Sequence, residues 1–222
     1  MALPGRIRLS ATVMLTALIV PMIGPGTLPD AVSVSRFAGL LLTEVTVGLL
    51  LGLSTRLLVH ALQLAGTIAA QSTALTQIAG PNVAPDPMPA MGNALMIAGV
   101  TLAMTTGLHI KVVMAIAQSY QVVGFGDALR GEDVASWGLE QAVAALTLGF
   151  SMAAPFLIAA FLYNVALGII NRAMPQLMVA FVGAPAIVGL TLLMFVFASP
   201  VILMVWNGQL DAVLAMPLGQ RP

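Results

Sequence analysis

Apolar residues come in long runs along this chain, and the polar residues that separate them come in short clusters. One run covers Leu9 to Ile23 and ends at GPGTLPD (24–30), where glycine and proline punctuate the helix. A second extends from Phe37 to about Ala79, interrupted only by Glu44, Arg56 and His60. At ~1.5 Å per residue, a helix of its 43 residues would measure about 65 Å, twice the ~30 Å hydrocarbon core of a bilayer. This run therefore predicts two segments, or one helix that leaves the bilayer. A third run, Asn93 to about Ser119, carries His109 and Lys111.

Two further long segments, about 139–170 and 176–206, complete the pattern, with Pro155 and Pro200 expected to kink them or end their regular parts. AGPNVAPDPMPAMG (79–92) has four prolines within nine positions and predicts irregular backbone, because each proline disfavours the helical region in its predecessor. GFGDALRGEDVASWG (124–138) holds four of the sixteen formal charges and predicts the main solvated loop, with Trp137 as an interfacial anchor. GIINRAMPQLMV (168–179) places Asn171, Arg172, Pro175 and Gln176 between two uncharged stretches, 141–170 and 173–206. An arginine at mid-bilayer costs about 2.5–3.5 kcal/mol on insertion scales, so this stretch is a turn at a surface or is used against a protein partner.

Composition turns these runs into a membrane reading. Of 222 residues 59% are hydrophobic and 7% charged, with mean hydropathy +1.03. No soluble domain hides that much apolar surface, so the surroundings are lipid or other apolar protein. The fold expected is all-α: one membrane domain over 1–222, of long helices with short connections. The positive start and apolar opening also resemble a secretory signal, but no clean A-x-A-like cleavage site follows. Net charge is zero, with no basic face for nucleic acid. Lys and Arg are spread almost evenly, so the positive-inside rule selects no topology; a chain held inside a protein assembly need not show that bias.

Candidate chemistry is sparse. Without cysteine there is neither a disulfide frame nor thiolate chemistry, and two histidines with eight carboxylates form no metal cage. No nucleophile–base spacing, phosphate-cradling loop or metalloprotease motif occurs, so no catalytic residue, cofactor or metal is expected. Fourteen methionines suit adaptable packing or a deformable seal, though methionine is also an ordinary membrane residue. Glu44, Gly48 and Gly52 fall at i, i+4 and i+8 on one helix face, where small residues let helices approach closely. An ionisable side chain on such a helix usually has a partner or lines a cavity; snorkelling at a membrane edge is the plainer alternative.

Three blocks resemble the FliR family of flagellar export-gate subunits, also found as the T-type subunits of virulence type III secretion systems. NVALGIINRAMPQLMVAFVGAPAIVGL (164–190) is similar to the family's N-x-x-x-G-x-x-x-R-x-x-P-Q followed by G-x-P, carried here by Asn164, Gly168, Arg172, Pro175, Gln176, Gly183 and Pro185. TEVTVGLLLGL (43–53) followed by QLAGTIAAQ (63–71) resembles its E-x-x-x-G-x-x-x-G block, and LPGRIRLSATVMLTALIVP (3–21) its P-x-R-x-R-leading helix. The chain departs from the family in beginning at this last block, without the usual earlier hydrophobic segment, as a shortened variant or a misplaced start would. The family's Asp-Pro corresponds to Gly80-Pro81, and its Gly-His to Gly107-Leu108-His109, offset by one.

The resemblance implies a non-enzymatic gate subunit in the bacterial inner membrane at the flagellar basal body. One copy, its long broken helices arranged as helical hairpins, would join several copies of P-like and Q-like subunits in a closed, conical, helical assembly, held largely above the bilayer, that passes unfolded export substrates and works with the large export-gate proteins. It implies an assembly interface through Glu44, Gly48, Gly52, Asn164, Gly168, Arg172, Pro175 and Gln176. It also implies a plug in the proline-rich loop: Pro81, Asn82, Pro85, Asp86, Pro87, Met88, Pro89 and Met91. An injectisome gate subunit is the alternative within the family. A small permease using Glu44, His60, His109 and Lys111 as a proton or solute path is the alternative outside it.

Overall fold

The computed structural model describes residues 4–23, 33–72, 90–125, 127, 129–173 and 179–219, with the side chains of 171 and 179–185 left aside. These residues form six helices: α1 (Gly5–Ile23), α2 (Val34–Ser72), α3 (Ala90–Thr105), α4 (Leu108–Val122), α5 (Gly131–Ala173) and α6 (Val179–Ala215). Four are long and apolar enough to cross a membrane, or five spans are present if α3 and α4 count as one broken span. The fold is all-α, and it is that of a membrane protein.

The described part of the second apolar run, to Ser72, lies in a single helix of 39 residues, about 58 Å long. No proline interrupts it, and its hydroxyls close onto its own carbonyls: Thr43 donates to Gly39, Thr46 to Leu42, Ser54 to Leu51 and Thr67 to Gln63. Such back-bonding satisfies polar side chains where no water is available. Helix α5 runs through Pro155, and the helical backbone of α6 continues through Pro200, so neither proline ends its helix. The expected loop at 124–138 is shorter than its charge content suggested. Residues 131–138 are the first turns of α5, where Glu132 and Asp133 face the positive end of the helix dipole.

The third run, by contrast, breaks in two. Gly107 has φ of 86°, in the left-handed region that glycine enters without strain, and its carbonyl accepts from Ile110 and Lys111 to start α4. Helix α3 begins at Ala90, directly after the last of the clustered prolines.

The chain divides into two compact units. One comprises 1–55, 106–139 and 210–222, the other 56–105 and 140–209. In the second, Trp206, Phe156, Leu62 and Leu95 are almost wholly buried, and the Trp206 indole N–H donates to the Leu58 carbonyl at 2.7 Å. Glycines set the spacing here. A methyl group on Gly66 would fall on the backbone of Gly92, and one on Gly149 would meet the Ala61 carbonyl at 3.2 Å. In the first unit α1 packs on α4. Outward faces of both units are apolar: Leu42 is 71% exposed and Phe197 73%. Faces of this kind need lipid or other protein against them.

Candidate functional site

The first unit gathers the polar chemistry that the apolar runs carry. From α2 comes Glu44, half-buried, and from α4 comes Tyr120, whose hydroxyl donates to Glu44 Oε2 at 2.8 Å. One and two turns beyond Glu44, Gly48 and Gly52 are exposed, and a methyl group on either would meet nothing within 4 Å. Together with residues of α4 and the end of α6 they border an open groove of about 310 Å³. Close by in sequence to the α4 start, Lys111 pairs with Asp211 at 2.6 Å, both partly exposed. A carboxylate held by a phenol, beside a glycine notch open to the outside, can receive a donor or cation from another molecule.

On α5, Asn164, Gly168 and Arg172 are all exposed and follow each other at i, i+4 and i+8, so they form one stripe on that helix. Gly168 likewise has open space where a side chain would be. Pro175 and Gln176 lie outside the described residues, as do Pro81, Asn82, Pro85, Asp86, Pro87, Met88 and Pro89. Met91, the remaining loop candidate, belongs to the first turn of α3 and is buried.

Three of the four residues of the permease alternative engage separate neighbours, and the fourth lies open. Glu44 holds Tyr120, Lys111 holds Asp211, His60 Nδ1 shares a 2.7 Å hydrogen bond with Gln63, and His109 is exposed. Among the described residues no group of three or more His, Asp or Glu side chains could hold a metal.

Tyr120 and Asp211 are residues that sequence reasoning passed over. Tyr120 is one of only two tyrosines, and a phenol on an apolar helix was the available signal. Asp211 lies 100 positions from its lysine, so no spacing rule links them. Gly66 and Gly92 were legible only as small residues; their mutual contact needed the packing.

Long apolar helices that keep an acid, a base and open glycine positions on exposed faces define a polytopic membrane protein. The family model described as bacterial export proteins, family 1, matches residues 1–213. The chain belongs to that family, the FliR family. The "Flagellar biosynthetic protein FliR" of Caulobacter vibrioides is 29% identical over 214 residues, covering 96% of this chain and 85% of that one. The protein of the same name from Bacillus subtilis is 26% identical over 167 residues, covering 73% of this chain and 64% of that one.

Proposed function

We propose that the chain is a non-enzymatic core subunit of the flagellar type III export gate, set in the bacterial inner membrane, which forms and seals the channel for unfolded export substrates. The observation that carries this reading is the family match across 1–213, supported by two relatives named for flagellar biosynthesis. Its partners are P-like and Q-like gate subunits and the large export-gate proteins. Apolar helices with open notches fit this role, because notches that would be unfavourable against lipid can be filled by neighbouring subunits. The large share of exposed apolar side chains fits it also.

Asn164, Gly168 and Arg172, with Pro175 and Gln176 after them, form one assembly contact, and Glu44 with its two glycines forms another. Arg172 is exposed on the chain alone and becomes buried when a neighbour packs on α5. Removing one partner of a buried pair costs about 3–5 kcal/mol, so Arg172→Ala should abolish recovery of the complex from detergent. A normal yield of complex with normal export overturns the assembly role of this residue. Of the proline-rich stretch 80–92, residues 90–92 belong to α3, and the part before them is the channel plug on sequence and resemblance alone. Deleting 83–89 should leave the complex assembled but leaky to small ions; wild-type conductance with unchanged secretion makes the loop a connector. The reading as a whole is tested by purifying the tagged chain with its native gene neighbours. Co-purification with the other gate subunits supports it, and isolation as a stable lone protein overturns it.

A further inference from the structure

The groove of the first unit has a shape and a charge that together specify an occupant. Its floor at Gly48 and Gly52 is bare backbone, and a methyl group there would touch nothing within 4 Å. Another helix can therefore lie against α2 at the short separation that small residues at four-residue spacing permit. The walls are apolar, with Ala115 of α4 and Leu214 of α6 among the lining side chains. The volume of about 310 Å³ stands at the lower end of ligand pockets, suiting a few inserted side chains.

Among the described residues, Glu44 is the one charged residue lining the groove. Tyr120 donates to Oε2, and among the described residues no basic side chain pairs with the carboxylate. The nearby cation on α4, Lys111, is engaged by Asp211. A half-buried carboxylate in apolar walls is stabilised when a positive charge reaches it, and is a strong penalty otherwise. Anionic lipid headgroups carry the wrong sign. A lysine or arginine on a helix matches both features: the aliphatic stem lies along the apolar wall while the charged end reaches Glu44.

We infer that the groove bordered by α2, α4 and α6 in the first unit seats an apolar helix of a different gate subunit, which brings one lysine or arginine to the Glu44–Tyr120 pair. This rests on the gate reading above and names the chemistry of one of its contacts. Tyr120 acts as a positioning residue: by occupying one carboxylate oxygen it holds Glu44 facing the incoming charge.

The test uses the complex assembled from co-expressed subunits. The chain has no cysteine, so Val47→Cys, a smaller side chain on the groove lining, gives a unique thiol. That thiol should react with a maleimide at least about tenfold more slowly in the intact complex than after the complex is dissociated. Glu44→Gln should lower the yield of complex about tenfold or more, because the partner's charge is then buried alone. Glu44→Lys should abolish the complex, and suppressors that restore it should replace a lysine or arginine by an acid on one apolar helix of another subunit. Tyr120→Phe should give a smaller loss that leaves the thiol protected.

Wild-type yields from both Glu44 variants overturn the inference, as does a thiol equally reactive before and after dissociation. Suppressors confined to this chain's own residues overturn it in favour of a second copy or an internal contact. If the wild-type chain recovers no other subunit, the gate reading itself has failed. If the wild-type complex forms and only the groove results are negative, the failure belongs to this inference alone.

Discussion

Gly66 and Gly48 are both helical glycines of α2, yet a methyl group would strike a wall at one and open space at the other. Around Gly66, in the second unit, α2 and α3 touch backbone to backbone through Gly92, and Gln63 reaches Met96 across the same seam. Around Gly48, in the first unit, no atom of the described residues fills the notch. The same small residue thus closes a contact inside the chain in one unit and leaves a place open in the other. Helix packing in apolar surroundings gains little from hydrophobic burial, so close approach and hydrogen bonds decide where helices meet. On the gate reading proposed above, such an unfilled notch is where a neighbouring subunit would pack.

That contrast can be broken experimentally, beginning with the filled side. Trp206→Ala removes the largest fully buried side chain and the donor to Leu58, and should cost about 3–5 kcal/mol. The expected result is rapid proteolysis of the membrane-inserted chain and no recoverable complex. Gly66→Ala comes next. Its methyl group meets backbone that cannot rotate away, so a loss of about 1–3 kcal/mol is expected, read as a lower unfolding temperature of the purified complex. An unchanged temperature would mean that the α2–α3 seam is looser than its geometry implies.

The open side should respond differently. Lys111→Met removes an ion pair whose two side chains are 29% and 43% exposed, and its effect on the chain is roughly 0–1 kcal/mol. Protease resistance should fall slightly, and less so at high salt, which screens the pair in the wild type. Gly48→Leu should leave the chain's own packing within about 0.5 kcal/mol, since it meets empty space. Its effect should instead fall on assembly, where a bulky side chain blocks the incoming helix. A Gly48→Leu chain that assembles and exports normally would show that this face is covered by lipid, and the contrast between the two glycines would lose its meaning.

Much of the helix content was legible because it depends on local sequence. The end of α1 at Ile23, an unbroken α2 as one of two alternatives, and the pair of long C-terminal helices follow from apolar runs and the clusters between them. The errors were local as well. The charges of 124–138 suggested a loop, but Glu132 and Asp133 are favoured in a first helical turn, so α5 begins at Gly131. The stretch from Asn93 to Ser119 was legible only as a single apolar run, and the backbone at Gly107 turns left-handed and divides it into two helices. For the candidate site, the spacing of Glu44, Gly48 and Gly52 put them on one helix face, and they share one on α2; Asn164, Gly168 and Arg172 came from the family resemblance and form a stripe on α5. Tyr120 could not be found that way, since it lies 76 positions from Glu44.

The sequence by itself determined the medium, the helices and the family, because hydropathy, proline and glycine act over a few residues and motif order is written along the chain. Only the tertiary structure decided which glycines are filled and which are open, that Glu44 is held by Tyr120, and that Lys111 is spent on Asp211. The reason is physical: these outcomes depend on distances between residues far apart in sequence, and in an apolar fold of nearly uniform helices no periodic pattern records which faces meet.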